Sequence, residues 1–413
     1  MRILSTCFLK FKKSTFLSLC ILNTIKYMKH IAFVILLLCS VPYSWGQTKF
    51  SDAFKFSTSV NSDFVVNFSG GLKQGYTYLG KEDISLTFNT RDAGLWKNGT
   101  LFLHGINTHG NGPSETLTGD LQIMSNIEAG DHTGLYEFWY SQSLGKFSVL
   151  VGQHDLNSEF VGTKYGGTFI NSSFGIAPSI SLNMPVSIYP MAAPCLLLKY
   201  TPNEKFCGKV AVYDGNPGNF ENNRFNLQWN ICSREGLFYI GETQLIQTQD
   251  ENQTGIFKIG TFYHSGSFIS YNDTSKLHRG DFGAYVVAEK ALFARSLHAG
   301  RGLCIFFQGG IAPPAYNMVQ YYVGGGFRYH GILPARFKDE LGIAVAGILI
   351  SPYYMHIYPG TLPYETALES TYIFRFGGKY AIQPSLQYII HPGANENINN
   401  CFVGLLRFTL TYP

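Results

Sequence analysis

The sequence predicts an all-β protein, a transmembrane antiparallel β-barrel of about 16 strands. Three observations predict it. Alternation of apolar and polar residues with a period of two recurs from Gln47 to the C-terminus, and no 3.6-residue periodicity of helical length interrupts it. Only 14% of the 413 residues are charged, where a soluble domain carries about 25%. Aromatics reach 15%, with 33 Phe, 26 Tyr and 44 Gly in the chain. So apolar and aromatic a composition excludes a disordered chain. The longest apolar runs, 31–39 and 341–350, fall short of the ~20 residues a spanning helix needs.

The first element is a leader. Residues 1–46 hold six bases (Arg2, Lys10, Lys12, Lys13, Lys26, Lys29) and no acid. The remainder has 25 bases against 27 acids, so the formal charge of +4 becomes −2 without it. Met28-Lys29-His30 is a positive start, Ile31 to Cys39 an apolar core, and cleavage is expected after Gly46. Residues 1–27 are a preface, with Met28 the expected true start. Residues 47–413 are then the barrel.

Five segments alternate cleanly: Asp83 to Arg91, Arg224 to Ile231, Val319 to His330, Leu368 to Phe376 and Phe402 to Tyr412. Twelve weaker strands are expected near 64–72, 99–107, 134–141, 146–154, 195–201, 205–213, 236–244, 255–263, 281–290, 302–311, 340–350 and 380–390. Seventeen candidates fit a 16-strand barrel with one or two in excess. Turn signals such as Asp214-Gly215-Asn216-Pro217-Gly218 separate them.

The faces decide between a barrel in lipid and a soluble sandwich, the competing architecture. A sandwich would carry charge on its outer face. Here the apolar face has aromatics at its ends, and the other is rich in Asn, Gln, Ser, Thr and Gly with scattered Arg. Lipid outside and water inside explains both faces. A sheet in a bilayer must close, because an open edge would leave N–H and C=O groups unpaired. Sixteen strands enclose an aqueous channel. Segment 341–350 is apolar on both faces and departs from this alternation.

Chemical motifs are scarce. Cys195, Cys207, Cys232, Cys304 and Cys401 show no CxxC spacing. They fit buried thiols, or one disulfide such as Cys207 with Cys232. Gly324-Gly325-Gly326 lacks the Lys-Ser/Thr of a phosphate loop and reads as a kink or bulge. His104, His109, His278 and His298 have no ligand spacing and read as loop histidines. The polar run from His154 to Glu159 has no positioned nucleophile and reads as an inward loop or strand end. No cofactor, no metal and no enzyme activity are expected, and sparse Lys and Arg argue against nucleic acid as a partner.

The C-terminal third carries a resemblance. Glu365-Thr366-Ala367-Leu368-Glu369, Tyr372-Ile373-Phe374-Arg375-Phe376, and above all Gln383-Pro384-Ser385-Leu386-Gln387-Tyr388 followed by Pro392-Gly393 resemble the closing hairpins of the OprB-type carbohydrate-selective porins. Asp339-Glu340-Leu341-Gly342-Ile343, Tyr213-Asp214-Gly215-Asn216-Pro217, Phe169 to Gly175 and Gly152 to Asn157 are similar to other stretches of that family. The resemblance spans about 135–412. It implies a 16-stranded outer-membrane barrel of a Gram-negative-type bacterium that passes small sugars, contacts outer-membrane lipid and is inserted by the barrel-assembly machinery. Tyr412 is penultimate and Pro413 last, a departure from the family's usual terminal aromatic.

A sugar presents hydroxyl groups and an apolar ring face, so a selective channel needs paired donors and acceptors and an aromatic surface. The residues in lumen phase are Arg91, Arg328, Arg375 and Arg407 as donors, and Glu137 and Glu369 as acceptors. Gln320, Gln383 and Gln387 share the phase, and Trp139 could stack on a sugar. The expectation is passive, sugar-preferring diffusion. A channel for another solute and a structural barrel are the alternatives.

Overall fold

A computed structural model describes residues 52–232, 234–249, 252–292, 302–333 and 335–412. The expected leader and Pro413 lie outside the described residues. Sixteen strands run in chain order: β1 (Phe54–Gly71), β2 (Gly75–Asn89), β3 (Gly99–Gly110), β4 (His132–Leu144), β5 (Phe147–His154), β6 (Ala193–Asn203), β7 (Phe206–Asp214), β8 (Leu237–Gln249), β9 (Asn252–Ile269), β10 (Leu277–Ala291), β11 (Gly302–Ile311), β12 (Val319–His330), β13 (Glu340–Ile350), β14 (Tyr364–Phe376), β15 (Tyr380–Ile390) and β16 (Asn399–Tyr412). Each pairs antiparallel with its sequence neighbours, and β1 pairs with β16 from Thr58↔Tyr412 to Gly71↔Asn399, closing the barrel. Closure leaves no sheet edge for lipid to meet.

Alternation sets the faces as expected. Outward side chains are aliphatic at mid-height, for example Ile84, Leu198, Val210, Ile259, Val323 and Leu386, and all are exposed. Aromatics ring both ends: Phe56, Phe147, Tyr380 and Tyr412 at one, and Phe68, Tyr76, Tyr263 and Phe282 at the other. Such girdles suit the two membrane interfaces. Pro384 points outward in β15, where its missing N–H falls in a gap of the β14–β15 ladder between Thr371↔Ser385 and Phe374↔Ile382.

The two rims differ. Short turns such as 145–146, 204–205 and 377–379 close one end, which also holds the start of β1 and the end of β16. The other end carries 111–131, 155–192, 215–236 and 351–363.

Two expectations are corrected, and of the two readings left open for the cysteines the disulfide is excluded. Segment 224–231 is not a strand but part of the 215–236 connection. Asn226 takes a left-handed conformation (φ 51°) and breaks the extended run. In β12 the irregularity sits between Val319 and Tyr321 rather than at the three glycines, so Val319 turns inward and is fully buried. The glycines continue the ladder in register, and a Cβ at Gly326 would lie 2.5 Å from the Cβ of Ala344. Cys207 and Cys232 are not paired. All five described cysteines are free, and those two lie at opposite ends of β7.

Candidate functional site: a strap inside the barrel

The 155–192 connection folds back into the lumen. Its apolar side chains Leu156, Phe160, Phe169, Phe174 and Ile180 are buried to 2% exposure or less. They pack in one cluster with Tyr285, Tyr322, Ala344, Ala346 and Ile348 on the inner wall. This explains the doubly apolar 341–350 segment. Ile343, Val345 and Leu349 face lipid, and Ala344, Ala346, Ile348 and Ile350 face the strap.

The strap's polar contacts go mostly through its backbone. Glu137 of β4 accepts from the Asp155 N–H (3.1 Å). Lys209 of β7 donates to the Glu159 carbonyl (2.7 Å) and pairs with its carboxylate (2.6 Å). Glu242 of β8 accepts from the Val161 N–H (2.9 Å). Lys258 of β9 donates to the Gly162 carbonyl (2.6 Å). Glu289 of β10 accepts from the Tyr165 N–H (2.8 Å). Glu340 of β13 accepts from the Thr168 hydroxyl (3.2 Å). Glu369 of β14 accepts from the N–H groups of Ile170 and Asn171 (both 2.9 Å). Residues 155–171 are thus held by wall carboxylates and lysines from β4 round to β14. Val161 sits at φ 66°, an unfavourable conformation for a β-branched residue, and is buried where Glu242 grips its N–H.

A second connection, 111–131, also enters the lumen. Glu365 of β14 accepts from the N–H groups of Leu121 and Gln122 (2.9 Å each) and of Gly393 (2.6 Å). Gln387 of β15 donates to the Met124 carbonyl (2.8 Å) and accepts from the Asn171 amide (3.2 Å), tying both segments to one strand.

Ionisation follows these surroundings. Burial pushes the Asp155 carboxyl up to about 7, reinforced by the nearby Glu137 charge. Burial also acts to raise Glu159, but Lys209 and Lys199 outweigh it and leave Glu159 below the usual range. At the opposite rim, burial of Asp339 is outweighed by Arg336, which holds its carboxyl low.

The expected lumen residues separate into three groups. Arg407 is bidentate on Asp63 (2.7 and 2.8 Å) across the β1–β16 seam and also reaches the Ser125 hydroxyl. Glu137, Glu369 and Gln387 are buried and engaged with the inward segments, and Gln383 donates to the Thr168 carbonyl. Trp139 points inward but stacks on Phe102 (4.9 Å between centroids) and packs against the strap cluster. Arg328 and Arg375 converge on Glu340 (3.4 and 2.7 Å), with the Arg328 guanidinium 4.7 Å from the Tyr165 ring centre. The Arg375 side chain is 42% exposed. Arg91 is not in this company. It lies in the exposed turn after β2, its N–H on the Asn89 side chain.

Sequence reasoning missed Glu242, Glu289, Glu340, Glu365, Lys209 and Lys258. It also misread His104, which is no loop residue. His104 sits on β3 between Asp83 (2.9 Å) and Glu137 (3.3 Å), and Lys81 meets the same Asp83 (2.8 Å). The signal was available. A charged residue in mid-strand of a lipid-facing barrel must point inward.

A closed 16-strand barrel narrowed by an inward strap is the architecture of a channel. The model of the family described as "Carbohydrate-selective porin, OprB family" matches residues 73–412. The chain belongs to the OprB family. It is 24% identical to Porin B of Pseudomonas aeruginosa over 316 residues, covering 67% of this chain and 68% of that protein. It is 20% identical to QuiX of Acinetobacter baylyi, named as a porin, across 89% of this chain and 92% of that one. In fold it is similar to the high-pH structure of Pseudomonas putida OprB, with a TM-score of 0.81 at 20% identity over 88% of this chain and 95% of that one. This OprB-family porin is an outer-membrane channel of a Gram-negative bacterium for sugar-preferring passive diffusion, and its fold and family point to a channel rather than an enzyme.

Proposed function

We propose that Arg328 and Arg375, with Glu340 between them, form the sugar-selecting part of this channel. The observation that carries this reading is their shared carboxylate. Two guanidiniums divide one acceptor group beside the Tyr165 ring, and Arg375 keeps N–H groups in reach of solvent. A passing sugar can accept from the exposed Arg375 donors, while buried Glu340 holds both guanidiniums and the buried Tyr165 ring backs Arg328. Arg407, Glu137, Glu369 and Gln387 are assigned to holding the lumen in shape, because their polar atoms are already engaged by protein. Trp139 is assigned to packing, because its ring stacks on Phe102 and packs against the strap cluster. Arg91 takes no part in selection.

The outward girdles would seat the barrel in outer-membrane lipid, and β16 would be the strand that the assembly machinery reads. The single apolar band between two aromatic rings supports the first assignment.

Block of single-channel current by glucose tests the selecting role. A hydrogen bond to a charged group is worth ~1.5–3 kcal/mol. Replacing Arg328 and Arg375 together by Ala should therefore weaken glucose block roughly ten-fold or more. Unchanged block and unchanged sugar flux would remove these residues from the selecting role.

A further inference from the structure

The 215–236 connection, which imitates a strand in sequence, builds a second polar cavity at the long-loop rim. Its volume is about 440 Å³. The lining is dominated by amides, with Asn216, Asn219, Asn222, Asn223, Asn226 and Asn230 all contributing. Trp229 supplies an aromatic wall, and Asp214 and Glu235 are the only charges; no Lys or Arg is among the lining residues. We propose that this cavity is an extracellular subsite that captures a small neutral sugar before it enters the lumen. The proposal rests on the carbohydrate channel function given above.

Four features point to a neutral polyol. First, Asp214 is 4% exposed, lines the cavity, and its Oδ1 has no hydrogen-bond partner. A buried acceptor left open is costly unless a ligand or water fills it, and a sugar hydroxyl is a suitable donor. Second, the side chains of Asn222, Gln228 and Asn230 line the cavity and make no hydrogen bond with another described residue. Each offers a donor and an acceptor at once, which matches a hydroxyl group that both gives and takes.

Third, the frame is fixed independently of any ligand. Asn223 accepts from the N–H groups of Leu227 and Gln228 (3.0 and 3.2 Å). Asn226 donates to the Ala192 carbonyl (3.1 Å), and the Phe225 carbonyl takes the Leu135 N–H (2.9 Å). Trp229 donates its indole N–H to Gln153 (2.7 Å), which orients the ring. A positioned indole gives a sugar's C–H face its apolar partner. Fourth, the absence of a cationic side chain from the lining disfavours an anionic ligand.

Position adds to the chemistry. Ala192 and Ala193 in the cavity wall are where the strap leaves the lumen and becomes β6. A sugar held here waits at the rim beside the strap. The capture amides and the selecting arginines would then act in series.

Glucose binding to the full chain in detergent micelles, measured by saturation-transfer NMR and by titration calorimetry, tests the subsite. Heat-modifiable gel mobility confirms that each variant is a closed barrel. The Asn222→Ala/Asn230→Ala variant removes amides that hold no part of the fold, and it should weaken binding at least ten-fold. Trp229→Ala should weaken it further. Arg328→Ala/Arg375→Ala should leave the rim-site signal in place. Unchanged binding in the asparagine variant, or binding of Ca²⁺ in place of glucose, overturns the proposal. If wild-type protein binds glucose through the asparagines but passes none in liposome swelling, the channel reading fails and the subsite stands. If flux is present and the asparagine variant binds as wild type, the subsite fails alone.

Discussion

The seam between β1 and β16 and the rim between β12 and β14 both turn arginines toward the lumen, and the surroundings make them opposite kinds of group. At the seam, one guanidinium meets one carboxylate. Arg407 is 10% exposed in its side chain and Asp63 not at all, and the pairing is bidentate. At the rim, two guanidiniums divide Glu340, and Arg375 is 42% exposed. A one-to-one buried pair is saturated and holds two strands together. A two-to-one cluster with one guanidinium exposed keeps unfilled hydrogen-bonding capacity at Arg375, which is what a passing hydroxyl can use. Stoichiometry and burial, rather than residue type, separate the latch from the selector.

The comparison breaks most sharply at Arg407. Removing one partner of a buried pair costs about 3–5 kcal/mol, because the other charge is left uncompensated. Arg407→Ala should lower the stability of the refolded barrel by that amount, read as a urea midpoint in lipid vesicles. Little change would mean that the seam is held by its backbone ladder alone. Glu369→Ala comes next. It strips the acceptor from two strap N–H groups and the Ser385 hydroxyl, at about 1–3 kcal/mol for each buried group left unpaired. Limited proteolysis should cut within 155–171, and single-channel conductance should rise as the strap loosens. An intact strap with unchanged conductance would show that apolar packing suffices. Arg375→Ala should change stability least, by under about 1 kcal/mol, since an exposed pair contributes little. A loss comparable to that of Arg407→Ala would erase the distinction between seam and rim.

Much of this was legible from the residues. Alternation located all sixteen strands, because a sheet between lipid and water must sort its side chains every second position. Segment 224–231 alternated for a different reason. Phe225, Leu227, Trp229 and Ile231 are exposed in a loop that turns at 224–226, with Trp229 reaching back to Gln153. Period-two spacing of apolar residues does not by itself make a strand. Val319 lies inward where strict alternation from the outward Tyr321 would put it outward, because one irregular residue in β12 inverts the phase on its far side. The site was less legible. Lumen phase identified Glu137, Glu369 and Arg407 as inward, but their partners lie 18, 199 and 344 positions away in sequence. Nothing local in a strand says whether an inward carboxylate meets water or a strap that folds in from elsewhere.

The strap is gripped chiefly at its main chain. Wall carboxylates take N–H groups from Asp155, Val161, Tyr165, Ile170 and Asn171, and lysines take carbonyls from Glu159 and Gly162. A backbone N–H is supplied by every residue except proline. Strap positions whose side chains do not enter the buried cluster are therefore free to mutate without releasing the grip. Lineages diverging from this scaffold could retune what passes by drifting at those positions, while the barrel and its narrowing stay as inherited.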